Sequence, residues 1–213
     1  MSGYVAQLFY GLGNTIVLSI LTFIFGGMAG LVIALARVGA PAVRAAATVY
    51  IQLIQGIPLL VLMGFGFFGP PLLGMGHVSA LVAATIAMSV YASAYLGEIW
   101  RGCLQSVPRA QWEAAECLGL TRAQRMTRVI MPQAIRIAVP PTVGFMVQIV
   151  KNTSVASLVV GYGELTYQAK VVNTVTFQPF LYFGLAAAMY FAICFPLSHV
   201  SRGMERRFHV AGG

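Results

Sequence analysis

The stretch QWEAAECLGLTRAQRMTRVIMP, residues Gln111 to Pro132, is the longest polar interval in an otherwise apolar chain. Upstream of it, Ser106 suits an N-cap and Pro108 suits a first helical turn, where its missing N–H costs nothing. No helix breaker follows from Arg109 to Leu118, and Gly119 suits the left-handed position that ends a helix. These local signals predict a short helix followed by a glycine hinge.

A second helix is predicted directly after the hinge. Thr121 and Gln124, three residues apart, match the capping box that starts a helix. The first helix carries an apolar stripe at spacings of three and four, formed by Trp112, Ala115, Leu118 and Gly119. Such a stripe indicates that the helix docks on another surface.

Composition places the whole chain in a membrane. The 213 residues are 59% hydrophobic and 8% charged, and the mean hydropathy is +0.83. The net charge of +8 would suggest nucleic acid in a soluble protein. Here the basic residues separate apolar spans and do not cluster with aromatic side chains, which argues against nucleic-acid binding. The three cysteines show no CxxC spacing and indicate neither a disulfide framework nor a zinc site.

Five apolar spans predict an all-α integral membrane protein, with residues 1–213 forming one transmembrane domain. The polar interval, about residues 102–132, connects the third and fourth spans. No Lys or Arg precedes Arg37, so the first span lacks the charged start of a signal peptide and is expected to be retained. The spans are Met1–Leu35, Ala45–Gly76 ending at a Gly69-Pro70-Pro71 break, Ser79–Ile99, Ile137–Val150 beginning with a kink or break at Pro140-Pro141, and Phe180–His199.

A pair of glycines in the first span has two readings. Gly26 and Gly30 have the GxxxG spacing that lets a second helix approach closely. Glycine is also common in membrane helices, so the spacing alone leaves a packing interface and chance equally open.

The distribution of charge predicts the orientation. With five spans the termini lie on opposite sides of the membrane. If the polar interval is cytoplasmic, that side receives 11 of the 13 basic residues, and the other side keeps only Lys151 and Lys170. This asymmetry follows the positive-inside rule and predicts an outside N-terminus and a cytoplasmic C-terminus.

The segment EAAECLG, followed by a basic helix and IMP at Ile130 to Pro132, resembles the EAA loop of ATP-binding-cassette importer permeases. The longer string RGCLQSVPRAQWEAAECLGL, from Arg101, resembles the polar amino acid branch. The resemblance implies that this loop carries a coupling helix, which seats in a groove of a separate ATPase subunit. The coupling residues it implies are Glu113, Ala114, Ala115, Glu116, Leu118 and Gly119. The alternative is an ordinary amphipathic helix with a chance EAA.

The resemblance also implies the partners. They are two copies of the ATPase subunit, a second identical or paralogous permease, and a periplasmic or lipid-anchored solute-binding protein, at a bacterial inner membrane. The chain has two lysines, neither in a GxxxxGK[ST] context, so no P-loop can hold ATP. ATP and magnesium are therefore expected on the partner, with no cofactor in this chain.

A charge inside the fourth span suggests a substrate site. Lys151 lies about 20 Å along the helix from Ile137, within a hydrocarbon layer of about 30 Å, and should face protein or water. VKNTSVASLVVGYGELT resembles the KDTSL segment and downstream ELT of amino acid permeases, which line the substrate path. Asn152 replaces the aspartate of many relatives, which argues against a strictly cationic substrate. Lys151 suits an α-carboxylate and Glu164 an α-amino group; alternatively they pair with each other or with lipid headgroups.

Two further segments resemble the family. AYLGEIWRG resembles AYxAExxRG, and Glu98 can pair with Arg101 three residues later, either as a structural or gating ion pair or beside substrate. QGIPLL resembles RGTPLL, with Gln55 replacing the usual arginine. The expected substrate-binding set is Lys151, Asn152, Thr153, Ser154, Glu164, Glu98, Tyr91 and Gln55.

Two other function classes fit less well. An intramembrane enzyme lacks support, because the chain has three histidines, no aspartate, and neither HExxH nor GxSxG. An ion-coupled secondary transporter or a channel would need acid relays, for which only Glu98 and Glu164 are candidates. The preferred interpretation is a permease subunit of an importer for polar amino acids.

Overall fold

The protein is built from α-helices. The computed structural model describes residues 2–210, with side chains from residue 3 to residue 204. The predicted orientation also draws on Met1 and on the side chains of Arg206 and Arg207, which lie outside the described part. The helices are α1 Ser2–Arg37, α2 Pro41–Gly56, α3 Leu59–Leu72, α4 Ala80–Gln105, α5 Arg109–Cys117, α6 Arg122–Gln124, a π-helical segment Arg125–Ile130, α7 Met131–Val159, α8 Leu165–Thr176 and α9 Pro179–Val210. The predicted all-α class is confirmed.

Within residues 2–210, four helices are long and apolar enough to cross a membrane: α1, α4, the continuous run of α6 to α7, and α9. The fifth candidate is the pair α2 and α3, which together pass the same test but are bent by 97°. Counting this pair as one span gives the five predicted spans, with the helix–glycine–helix segment between the third and the fourth.

The second span ends within a few residues of the predicted Gly69-Pro70-Pro71 break, but it also has a bend that the sequence did not predict. Pro70 and Pro71 lie in the last turn of α3, which ends at Leu72. The chain bends at Ile57 and Pro58, where Ile57 is extended with φ −100° and ψ 126°. A proline disfavours helical geometry in the residue before it, and Pro58 lies between two helices that could otherwise join.

The fourth span is also longer and more regular than predicted. Pro140 and Pro141 lie inside α7, so they neither break the helix nor mark its start. The Thr142 hydroxyl donates to the Ala138 carbonyl beside these prolines at 2.7 Å, the kind of local side-chain bond with which membrane helices tolerate proline. The irregular turns occur earlier, in the π-helical segment. As a result, residues 151–154 lie within α7 and do not follow its end.

The first and third spans form the main packing contact. A Cβ added at Gly26 would lie 2.7 Å from the Ala92 Cβ, and one added at Gly30 would lie 3.0 Å from the Leu96 Cβ. No larger residue fits at either glycine without moving α4, because these distances are below van der Waals contact. The GxxxG pair is therefore a packing interface between α1 and α4.

Candidate functional site

The helix–glycine–helix segment has the predicted local geometry. Gly119 has a φ of +68°, and its N–H donates to the Glu116 carbonyl at 2.9 Å. The Leu120 N–H donates to the Ala115 carbonyl at 3.3 Å, which completes a Schellman motif and satisfies the carbonyls at the end of α5. The chain therefore turns at Gly119 because a residue there must be left-handed.

The second helix of this segment starts with the predicted capping box. The Gln124 N–H donates to the Thr121 hydroxyl at 3.3 Å, and the Thr121 N–H donates to the Gln124 side-chain oxygen at 3.0 Å. An ion pair of 2.9 Å between Arg125 and Glu116 joins the two arms of the hinge. The helix start at Ser106 is corrected, because Ser106 ends α4 and Pro108 takes the N-cap position of α5.

One face of α5 packs against the rest of the chain. Ala115 is buried, and Trp112 packs on the cluster of Leu104, Val107, Ile130 and Ala134 at the ends of α4 and α7. The predicted stripe is only half right, because Leu118 is 78% exposed. Leu118 lies about 120° around the helix from Trp112 at 3.6 residues per turn, so both cannot face the same surface.

The opposite face of α5 is open. Among the residues expected to couple to a partner, Ala115 alone is buried and holds the helix on the chain. The exposed members are Glu113, Ala114, Glu116, Leu118 and Gly119. The segment thus has an anchored inner face and an accessible outer face, which we call the coupling face and define as Glu113, Ala114, Cys117 and Leu118.

Glu98 forms an ion-pair cluster close to this segment. The Arg101 Nε donates to both carboxylate oxygens of Glu98 at 3.0 Å, which confirms the predicted pair. Arg37, at the end of α1, lies 3.5 Å from the same carboxylate and also bonds Thr48 on α2. Glu98 therefore links α4 to the end of α1, and Arg37 extends this link to the middle of α2. Sequence reasoning missed Arg37, since 61 residues separate it from Glu98.

Two of the predicted substrate residues, Tyr91 and Asn152, lie together between α4 and α7. Tyr91 approaches the Asn152 side chain, and the Gln148 amide donates to the Asn152 oxygen at 3.1 Å. Lys151 is exposed one position away on α7. Phe145 stacks on Tyr95 with ring centroids 5.7 Å apart and forms the apolar floor of this group. Tyr91, Gln148, Lys151 and Asn152 form what we call the polar stripe.

The other predicted residues lie elsewhere. The Thr153 hydroxyl is buried and donates to the Val150 carbonyl at 2.8 Å, and the Ser154 hydroxyl donates to the Lys151 carbonyl at 2.7 Å. These two hydroxyls bond their own helix. Gln55 is exposed on α2.

Glu164 is sealed inside the protein. Its carboxylate accepts the Tyr167 N–H at 2.8 Å as the N-cap of α8, and it accepts the Tyr190 hydroxyl of α9. Burial raises the pKa of the Glu164 carboxyl, although these hydrogen bonds oppose the rise. Among the described residues Glu164 makes no ion pair, so the alternative in which it pairs with Lys151 is wrong.

Two contributions to the site were not predicted from the sequence. Gln148 bonds Asn152 four residues away on α7, a spacing that was visible in the sequence. Asn14 on α1 donates to the Gly163 carbonyl at 2.8 Å and holds the turn before Glu164. The second contact joins residues 149 positions apart and has no sequence signal.

Comparisons with known proteins agree with one another. Residues 26–210 match the family described as "Binding-protein-dependent transport system inner membrane component". The chain is 36% identical to the probable amino-acid ABC transporter permease protein YckA of Bacillus subtilis, over 93% of this chain and 87% of that protein. It is 37% identical to the L-cystine transport system permease protein TcyB of the same organism, over 92% and 84% of the two chains.

A solved structure matches over almost the full length. The crystal structure of an amino acid ABC transporter with histidines contains a chain that superimposes with a TM-score of 0.90 at 33% identity, covering 97% of this chain and 96% of that one. The five candidate spans, the EAA segment and these matches lead to one assignment. This chain belongs to the family of inner-membrane components of binding-protein-dependent transport systems, and it is a multi-pass ABC transporter permease.

Proposed function

We propose that the chain is the permease subunit of an importer for polar amino acids, and that a separate subunit hydrolyses the ATP. The names of YckA and TcyB support an amino acid as the substrate. The exposed coupling face supports an external energy source. No cofactor is bound by this chain, and ATP with magnesium binds to the partner.

In the proposed orientation the helix–glycine–helix segment, which we call the coupling segment, lies in the cytoplasm. The N-terminus lies outside and the C-terminus inside. Val38, Trp112 and Ile130 pack in one cluster, so the ends of α1 and α4, the start of α7, and α5 lie at the same end of the protein. This end also carries Arg37, Arg101 and the arginines of the coupling segment, and the positive-inside rule favours it for the cytoplasm.

The proposed assembly has two permease subunits, identical or paralogous, two ATPase subunits and a solute-binding protein. The polar stripe supports a second permease, because a lysine facing lipid costs several kcal/mol, about 3 on insertion scales. A second subunit would cover this face and leave a polar path between the two. Closure of the ATPase pair then pushes the coupling faces and rocks the spans between two states.

Leu118 provides the test of this proposal. We expect Leu118→Arg to reduce co-purification of the co-expressed ATPase subunit at least about tenfold in mild detergent, because it puts a charge in the middle of an apolar contact. The measurement is the ratio of ATPase to permease after affinity purification.

Leu73→Arg is the matched control. Leu73 is 77% exposed, as Leu118 is, but it follows α3 at the other end of the protein. Its substitution should leave the ratio unchanged. If both variants keep the ATPase, or if the unaltered permease never retains it, the coupling face is not the docking surface.

A further inference from the structure

A groove runs between α7 and α9 next to the polar stripe. It has a volume of about 330 Å³. Lys151 lies on one wall and Arg202 on the other, with the Tyr190 and Ser198 hydroxyls between apolar side chains. The full lining is Val147, Lys151, Tyr190, Phe191, Cys194, Phe195, Ser198 and Arg202.

The two helices bring these cations toward each other. The Ser201 hydroxyl donates to the Pro140 carbonyl at 2.8 Å, and Cys194 packs on Val147, so α7 and α9 run antiparallel. Helical side chains lean toward the N-terminus of their own helix. Lys151 therefore leans along the groove toward the end at which Arg202 lies.

No described acid neutralises this groove. Glu98 is held by Arg37 and Arg101, and Glu116 by Arg125. Glu113 is exposed on α5. Glu164 is the nearest candidate through Tyr190, but its carboxylate is buried and accepts the Tyr190 hydroxyl from behind the groove wall. Neither Lys151 nor Arg202 forms an ion pair with an acid of residues 3–204.

We propose that Arg202 is a second anion-binding residue of the substrate path, so that the groove selects amino acids with a negatively charged side chain. This inference rests on the proposed function. One carboxylate of the substrate meets Lys151 and the other meets the Arg202 guanidinium, which binds carboxylates through two parallel hydrogen bonds. Phe191 and Phe195 supply apolar walls between the two cations.

A direct measurement of substrate binding tests the role of Arg202 separately from transport. The complete permease–ATPase complex is placed in lipid nanodiscs without the solute-binding protein, and glutamate and glutamine are titrated as an isosteric charged and neutral pair. We expect the unaltered complex to favour glutamate. Arg202→Gln should weaken glutamate binding by roughly tenfold or more and leave glutamine binding within about twofold. Arg44→Gln, a change at an exposed arginine of α2, is the control and should alter neither.

The other outcomes overturn the inference in different ways. An unchanged glutamate affinity in Arg202→Gln, or an equal loss for both amino acids, removes Arg202 from selectivity. If the effect of Arg202→Gln disappears in nanodiscs of phosphatidylcholine alone, the groove binds the phosphate of an anionic lipid. If neither amino acid binds but the assembled importer takes up another polar amino acid with ATP, this inference fails and the proposed function stands. Absence of ATP-dependent uptake of any amino acid contradicts the proposed function itself.

Discussion

Amino acid uptake by the assembled importer will fall by roughly tenfold or more when Lys151 is replaced by alanine. Hydrogen bonds to charged groups contribute about 1.5–3 kcal/mol, and about 1.4 kcal/mol corresponds to a factor of ten. Lys151 is the cation of the polar stripe and the residue placed to meet the α-carboxylate. The measurement is the initial rate of labelled substrate uptake in proteoliposomes, over a range of substrate concentrations.

Lys170 is the matched control for this substitution. It is the only other lysine of the chain and lies exposed on α8. Lys170→Ala should transport at the normal rate. Because Lys151 is exposed, its truncation leaves no cavity, and the variant should purify in normal yield. Normal uptake by Lys151→Ala would remove Lys151 from the substrate path.

Substitution at the Gly119 hinge should impair the coupling of ATP hydrolysis to transport and leave docking of the ATPase subunit intact. Gly119→Val places a β-branched residue at a φ of +68°, where even an unbranched side chain costs about 1–2 kcal/mol. The Schellman motif then opens, and α5 loses its fixed angle to the helix that continues into α7. We expect ATP hydrolysis by the complex to persist while uptake falls at least about fivefold.

The same position supplies its own control. Asparagine tolerates the left-handed region better than other residues with a side chain. Gly119→Asn should therefore keep most of the coupling, as judged by the number of substrate molecules moved per ATP hydrolysed. Equal ratios for Gly119→Val and the unaltered protein would mean that the hinge angle does not transmit the motion.

The sequence predicted the coupling segment well because its signals are local. The glycine at position 119 and the capping box of Thr121 and Gln124 determine the backbone within a few residues, so no distant contact was needed to place them. The pair of Glu98 with Arg101 is local for the same reason, since three residues separate them on one helix.

The effects of the prolines were predicted only in part, because they depend on context. Pro58 bends the chain between α2 and α3, whereas Pro140 and Pro141 stay inside α7. All three look alike in the sequence. What distinguishes them is how neighbouring side chains and helices satisfy the freed backbone groups, which only the assembled structure reveals.

The candidate site was predicted in part. Tyr91 and Asn152, two members of the expected set, lie together between α4 and α7, whereas Lys151 faces the groove beside α9. The burial of Glu164 could not be foreseen, since it depends on Tyr190 from a later helix. Arg202 was also missed as a lining residue, because it reaches the groove from α9, about fifty positions beyond Lys151.

The most direct test of the account is uptake by the purified permease with and without its ATPase subunit. Proteoliposomes that contain the permease, the ATPase and the solute-binding protein should accumulate a polar amino acid only when ATP and magnesium reach the ATPase. Omission of the ATPase, or its replacement by a variant unable to hydrolyse ATP, should reduce uptake to the level of empty liposomes. Accumulation against a gradient by the permease alone would contradict the account.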